Sequence, residues 1–346
     1  MKGKIILIAF ICFFLFCAGQ IFGGFNVKPA PADLSSLVDK AIENEEYVPE
    51  KLVFVGDMMF DRGVEDMMQK TSFTYPMDMI ADFLKKFDFS IGNLEGPINE
   101  APKAFLDSSL MFSFDKKIVD SLKAGNFKLV SLANNHTLNM ERKGLEETKS
   151  ILSENEIAFS GDPIECDADY SYQKDGITFY SVNVTYPSNC SNSEIADWIK
   201  ETKFYNPESF FVVLAHWGAE YKTENSEEQQ ELAHEMIDAG ADLIIGGHPH
   251  VVQNIEKYNN KLIFYSLGNF VFDQYFSKET QEGLGVGMEI YPDKKVYNLY
   301  GIKNKMAQPQ LMSEEEKKLF LEDLSTNSSE ELKESIKSGI IEIDNK

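Results

Sequence analysis

Residues 241–251 read Ala-Asp-Leu-Ile-Ile-Gly-Gly-His-Pro-His-Val. Leu243, Ile244 and Ile245 form a short apolar run, the pattern of a strand buried on both faces. Gly246 and Gly247 end the run and let the backbone turn sharply. His248 and His250 follow, held apart by a proline that stiffens the turn. The stretch delivers two imidazoles to the carboxyl end of a sheet, the edge where open α/β sheets place their ligands. The chain has only five histidines, so the question becomes what else arrives at that edge.

Working outward, four other apolar runs end in the same way. Leu52 to Val55 stops at Gly56-Asp57, and Phe89 to Ile91 stops at Gly92-Asn-Leu-Glu95-Gly96. Phe127 to Leu132 runs into Ala133-Asn134-Asn135-His136, and Phe210 to Ala215 into His216-Trp217-Gly218. Between them lie expected helices near residues 64–70, 77–87, 115–124 and 144–154, and one from Ser226, with Gln229 completing a capping box, to Gly240. Hairpins are expected around Asp175-Gly176 and Asn259-Asn260, and two further strands over 284–290 and 296–302. Alternating strands and helices predict an α/β fold with a largely parallel core, whose strand ends share one edge.

That edge collects Asp57, Glu95, Asn135 with His136, His216, His248 and His250. Oxygen and imidazole donors together suit Mn²⁺, Fe or Zn²⁺ and not a cysteine-rich structural zinc site. The donors outnumber the needs of one tetrahedral ion, which points to two divalent ions. Each of these residues alone has a structural reading; four of five histidines at strand ends is what argues for a site. The fifth, His234, reads as a solvated helix residue.

Composition narrows the partners. Lys+Arg 33 against Asp+Glu 56 gives a formal charge of −23, which repels nucleic acid and anionic membrane surfaces. Residues 1–25 combine a short basic start with an apolar run, the form of a signal peptide or a retained membrane anchor. The expected location is extracytoplasmic, either secreted or anchored. Residues 26–50 read as a linker with a short helix over 33–44, residues 51–305 as the globular domain, and residues 306–346 as an acidic peripheral tail. Cys166 and Cys190 form either a disulfide or two separate thiols.

Six stretches together carry a resemblance: Val53-Phe-Val-Gly-Asp57, Gly92-Asn-Leu-Glu-Gly-Pro97, Ser131-Leu-Ala-Asn-Asn-His136, His216-Trp-Gly-Ala-Glu-Tyr221, Gly246-Gly-His-Pro-His250 and Tyr265-Ser-Leu-Gly-Asn-Phe-Val-Phe-Asp-Gln274. In this order the chain resembles the CapA/PgsA capsule (poly-γ-glutamate) synthesis proteins, a branch of the calcineurin-like metallophosphoesterase superfamily. The resemblance implies a four-layer sandwich, two central β-sheets flanked by helices. It implies Asp57 and His250 on one metal, Asn135, His216 and His248 on the other, and Glu95 bridging. His136 would stand over the substrate as general acid or electrostatic clamp. Asn269 and Asp273 resemble substrate-side or supporting groups. Met59 departs from the histidine that ordinary phosphoesterases carry two residues after the first aspartate. A thioether is a poor ligand for a hard ion, so Asp61 or Glu220 compensates, or that position is weak or empty. Arg62, one of only two arginines, reads as an anion clamp for substrate or as a structural ion pair.

The expected function is an exported metal-dependent hydrolase or transferase of capsule or poly-γ-glutamate synthesis. Its partners would be an anionic polymer or other envelope substrate and a membrane synthase complex. A non-catalytic, membrane-tethered polymer-binding or synthase-partner component is the alternative that Met59 motivates. A general phosphomonoesterase is a third.

Overall fold

Alternation along the strand Glu50–Met58 divides the molecule into layers. Leu52 and Phe54 join one buried apolar cluster, and Val53 and Val55 join another. A strand covered on both faces has to be apolar at successive positions, which is why this segment reads as a continuous run. The computed structural model describes residues 47–100, 110–167 and 171–345. The expectations for the export segment, the helix over 33–44 and most of the linker fall outside them. Among the described residues no helix is long and apolar enough to cross a membrane.

Two sheets organise the body from Pro49 onward. In the first, Glu50–Met58, Phe89–Leu94, Phe127–Ser131 and Ala158–Ser160 run parallel, and Glu282–Ile290 and Lys294–Lys305 add on antiparallel. In the second, Ile177–Asn183, Phe210–His216, Leu243–Gly247 and Lys261–Phe264 run parallel. The two expected hairpins form its flanks, pairing Tyr172–Lys174 and Ile255–Tyr258 antiparallel. The core is therefore parallel through one half of the first sheet, out to its edge strand Ala158–Ser160, and through the centre of the second. Leu52, Phe54 and Ile91 from the first sheet meet Val212, Leu214, Leu243 and Ile245 from the second in a shared cluster. The outer face of the first sheet packs on Val64, Met68, Leu122, Leu145 and Leu152 of its helices. That of the second packs on Ile195, Ile199, Leu232 and Met236. This helix–sheet–sheet–helix order is the four-layer sandwich expected from the sequence.

Two expectations need correction. The helix expected over 77–87 is a 3-10 turn at Tyr75–Met77 and a single turn at Ala81–Leu84. Burial of Met77, Ile80, Phe83 and Leu84 against the first sheet holds the segment without a continuous helix. The residues read as a peripheral tail are part of the body. Gln308–Leu311 and Ile340–Asp344 both pair with Lys294–Lys305, and the helix Glu314–Thr326 buries Phe320, Leu321 and Leu324 in the cluster between the sheets. Ser313 and Glu316 form a capping box at its start, and Ile341 and Ile343 alternate with Glu342 in the last strand. Charge on the outer faces conceals this pattern in the composition.

The strand order brings the polar ends together. Asp57 is in register with Asn93 on one side and Asn269 on the other, and Gly247 with His216 in the second sheet. The two sheets are close here: a Cβ on Gly247 would lie 2.6 Å from Asp57 Oδ1, so the position calls for glycine.

Candidate metal centre

Each donor comes from a strand end, and its neighbours fix its direction. Asp57 is fully buried and accepts from Asn93 Nδ2 at 2.8 Å and from the His248 backbone N–H at 3.1 Å. His250 Nδ1 lies 3.4 Å from Asp57 Oδ2, and His250 Nε2 lies 3.6 Å from Glu95 Oε1. His216 Nε2 meets Asn135 Oδ1 at 2.8 Å, and the His216 and His248 rings are 4.8 Å apart. His136 Nε2 stands 4.0 Å from Glu95 Oε1. The seven residues singled out from the sequence thus converge on one place.

Asn93 was missed, although it sits among them. Its Nδ2 reaches Asp57 Oδ1, lies 3.4 Å from Glu95 Oε2 and 3.2 Å from His216 Nδ1, while its Oδ1 accepts from Asn134 Nδ2. Residues two apart on a strand share a face, so Glu95 and Asn93 point the same way. That period was the available signal. Asn134 in turn accepts from the His136 and Thr137 backbone N–H groups and shapes the turn that presents Asn135 and His136.

Of the two roles open to Asn269 and Asp273, substrate-side or supporting, the contacts made are supporting ones. Asn269 is 1% exposed, and its Oδ1 accepts from His250 Nδ1 at 3.0 Å. Its Nδ2 donates to Thr280 O at 3.0 Å and to Gln274 Oε1 at 3.1 Å, so it stands behind the imidazole and not toward the opening. Arg62 forms an ion pair with Asp273, and Asp273 Oδ2 also accepts from the Gly63 N–H at 3.0 Å. The guanidinium lies over the Phe112 and Phe272 rings at 5.0 and 5.6 Å. Of the two readings of Arg62, the structural ion pair is formed.

Met59 is fully buried in the helix-side core, and its sulfur accepts from the Asp61 N–H at 3.0 Å. Asp61 is used as well: Oδ1 caps the Arg62 N–H and Oδ2 accepts from the Ser113 N–H. The thiols of Cys166 and Cys190 are free, and Cys190 Sγ donates to the Ile164 carbonyl at 3.4 Å.

Burial and mutual charge set the protonation of the site. Burial opposes ionisation of Asp57, but hydrogen bonding and charge from His250, with His216 and Asn93, outweigh it and hold the carboxyl at about 2. Burial pushes Glu95 up to about 8 despite His250, with Asp57 adding to the rise. Burial also disfavours the His250 cation, yet Glu95 and Asp57 carry it up to about 9. His248 falls to about 4 and His216 well below its usual range, first through burial and then through neighbouring imidazoles. Burial lowers His136 too. Its Nδ1 faces Asn139 Oδ1 at 3.0 Å, which keeps the proton there and turns an Nε2 lone pair toward Glu95.

The donor set fits divalent cations. Glu95 Oε1 and His248 Nδ1 are buried without a hydrogen-bond partner, a costly state that a cation relieves. Asp57, Glu95 and His250 bring ligand atoms within 4.8 Å of one another, and so do Glu220, His248 and His250. His248 and His250 have positive φ values of 94° and 59°, which L-residues rarely adopt, so the turn holds them against local preference.

The model of the family described as "Bacterial capsule synthesis protein PGA_cap" matches residues 51–274. The capsule biosynthesis protein CapA of Bacillus anthracis is 30% identical over 264 residues, 70% of this chain and 64% of that protein. The PGA biosynthesis protein CapA of Bacillus subtilis (strain 168) is 32% identical over 250 residues, 67% of this chain and 65% of that protein. The chain thus spans just under two thirds of the length of these relatives. Among solved structures, a purple acid phosphatase from yellow lupin aligns with a TM-score of 0.37 and 10% identity over 78% of this chain and 53% of that one. With the match covering most of its body, the chain belongs to the bacterial capsule synthesis protein PGA_cap family.

Proposed function

We propose that this protein is an extracytoplasmic, metal-dependent hydrolase or transferase of capsule or poly-γ-glutamate synthesis, working at the strand-end centre on an ester or γ-amide of an anionic envelope polymer. The observation that carries the reading is the convergence of Asp57, Glu95, Asn135, His216, His248 and His250, with two of their donor atoms buried and unpaired. Family membership supplies the polymer. Asp57, Glu95 and His250 would hold one ion and Asn135, His216 and His248 a second, Mn²⁺, Fe or Zn²⁺ by donor type. When bound, such ions polarise a scissile ester or amide and lower its barrier to attack.

The chain's own residues position and move protons. Asn269 holds the proton on His250 Nδ1, leaving Nε2 facing Glu95. Asn93 donates to Asp57 and keeps that carboxylate in place. His136 stacks on Phe112 at 4.3 Å and carries its acceptor lone pair on Nε2, where it takes a proton and returns it to the leaving group. Turnover of γ-glutamyl amide and ester substrates by the metal-loaded full chain tests the reading. His136→Gln is expected to lose about 10²–10⁴-fold in turnover with unchanged metal content. A His248→Ala, His250→Ala double variant that retains full activity would exclude it.

A second reading has its own observation. Met59 is committed to the core, so the Asp57 position has one ligand fewer than an ordinary phosphoesterase. A tethered, non-catalytic component that binds polymer or a synthase through the same cleft accounts for that. It predicts bound metal without turnover on any ester, γ-amide or aryl phosphate.

A further inference from the structure

The ligand that Met59 withdraws has a replacement on the other sheet. The strand Phe210–His216 runs past Trp217 into a turn at Gly218, whose φ of +82° suits glycine, and then to Glu220 and Tyr221. The Tyr221 backbone N–H donates to the Pro249 carbonyl at 2.8 Å, which ties this turn to the peptide between the two histidines. The Tyr221 ring lies against His250 with centroids 6.2 Å apart, and its hydroxyl accepts from Gln274 Nε2 at 3.2 Å. Glu220 thereby brings a carboxylate oxygen within 4.8 Å of ligand nitrogens on both His248 and His250. Independently, His248 is 8% exposed and its Nδ1 has no hydrogen-bond partner.

Asp61, the other carboxylate able to compensate, caps a helix and holds the Ser113 N–H. Glu220 is bound by no such duty to the fold. It is exposed at the rim of the histidine pair. A carboxylate at the rim of a buried histidine pair, on a turn pinned by the Tyr221 backbone hydrogen bond, is placed to act as a ligand.

We propose that Glu220 is a metal ligand, supplying to the ion at His250 the donor that the buried thioether of Met59 cannot give. The proposal rests on the metal-centre reading above. Glu220 then faces His250 and His248 from the second sheet, and His250 is shared with the neighbouring group of Asp57 and Glu95 from the first. A divalent ion of the Mn²⁺ or Zn²⁺ type accepts this oxygen-rich set.

Calorimetric titration of the full chain with Mn²⁺, with metal counted by mass spectrometry, is the test. For Glu220→Gln, affinity at one of two positions is expected to fall at least tenfold, with the other unchanged and the melting of the metal-free protein as in the parent. His216→Ala is expected to affect the other position. If Glu220→Gln and the parent bind both ions equally while His250→Ala does not, Glu220 is not a ligand and the metal centre stands. If the parent binds no Mn²⁺ or Zn²⁺, the metal-centre reading fails and takes this proposal with it.

Discussion

Asn269 offers the sharpest separation of a ligand-orienting role from a structural one. Its Oδ1 only accepts, so the 3.0 Å contact with His250 fixes the proton on Nδ1 and leaves Nε2 as the donor toward Glu95. Outer partners of this kind typically govern 10–100-fold in metal affinity, about 1.4–2.7 kcal/mol. The same side chain donates from Nδ2 to the Thr280 carbonyl, and removing that donor leaves a buried acceptor unpaired at about 1–3 kcal/mol. Asn269→Leu should therefore lose 10–100-fold in Mn²⁺ affinity and melt several degrees lower. Asn269→Asp keeps the acceptor for His250 but loses the donor to Thr280, so it should melt lower with Mn²⁺ affinity retained. Calorimetry at a temperature well below both melts reads affinity, and imidazole ¹⁵N shifts read the His250 tautomer. Equal Mn²⁺ affinity for a folded Asn269→Leu protein and its parent would refute the argument, and so would a tautomer unchanged by the substitution.

The remaining predictions concern stability and the sheet contact. Asp242 accepts from Lys203 at 2.7 Å and the Phe211 N–H at 2.9 Å, and it pairs with Lys261. Burial opposes its ionisation, but these partners outweigh burial and lower its pKa below 3.8. A depressed carboxylate stabilises fully above the unfolded value and loses that contribution as pH falls through the folded one. Asp242→Asn should thus cost about 2 kcal/mol at pH 7, less than a fully buried pair because both lysines reach water, and the deficit should shrink below about pH 4; an equal deficit at pH 7 and pH 2.5 in urea titrations would count against this. Phe320→Ala should cost about 3 kcal/mol and several degrees of melting temperature, whereas a parent-like melt would restore the C-terminal segment to a peripheral role. Gly247→Ala places a Cβ 2.6 Å from Asp57 Oδ1 and should cost about 1–3 kcal/mol together with at least tenfold in Mn²⁺ affinity; unchanged affinity would show that the carboxylate can move without consequence.

Much of the site was legible because buried parallel strands are apolar at every position, which makes each strand end visible as an abrupt polar or glycine step. Asp57, Glu95, His216 and His248 all stand at such steps. Asn93 was hidden by the same logic, since it lies within the last residues of Phe89–Leu94 and reads as part of the stop. For Asn269 and Asp273 the sequence left substrate-side and supporting roles open, because their partners lie 19 and 211 positions away. The C-terminal segment was misread from composition. Its buried residues, Phe320, Leu321, Leu324, Ile336, Ile341 and Ile343, are outnumbered locally by charged ones on the solvent side. Periodicity, not average polarity, carries the signal there.

Backbone strain gives an independent view of where the molecule is under constraint. Arg62, Tyr221, His248 and His250 all have positive φ, at 53°, 63°, 94° and 59°. They come from three separate segments, and all four lie at the strand-end centre or its rim. Each such conformation costs of order 1–3 kcal/mol for a residue with a side chain, and persists only where surrounding contacts over-determine it. Those contacts are present: the Gly63 N–H and Arg62 both bind Asp273, Tyr221 donates to Pro249, and the His248 N–H donates to Asp57. Stability alone would favour relaxing these residues, since glycine would serve at each. At these four positions the same contacts also fix where the side chains stand. The positive-φ turn at Tyr221 fixes the backbone next to Glu220, so Tyr221→Gly should loosen that carboxylate and, on the proposal that it is a ligand, weaken Mn²⁺ binding as Glu220→Gln does; unchanged affinity in the same titration would count against it.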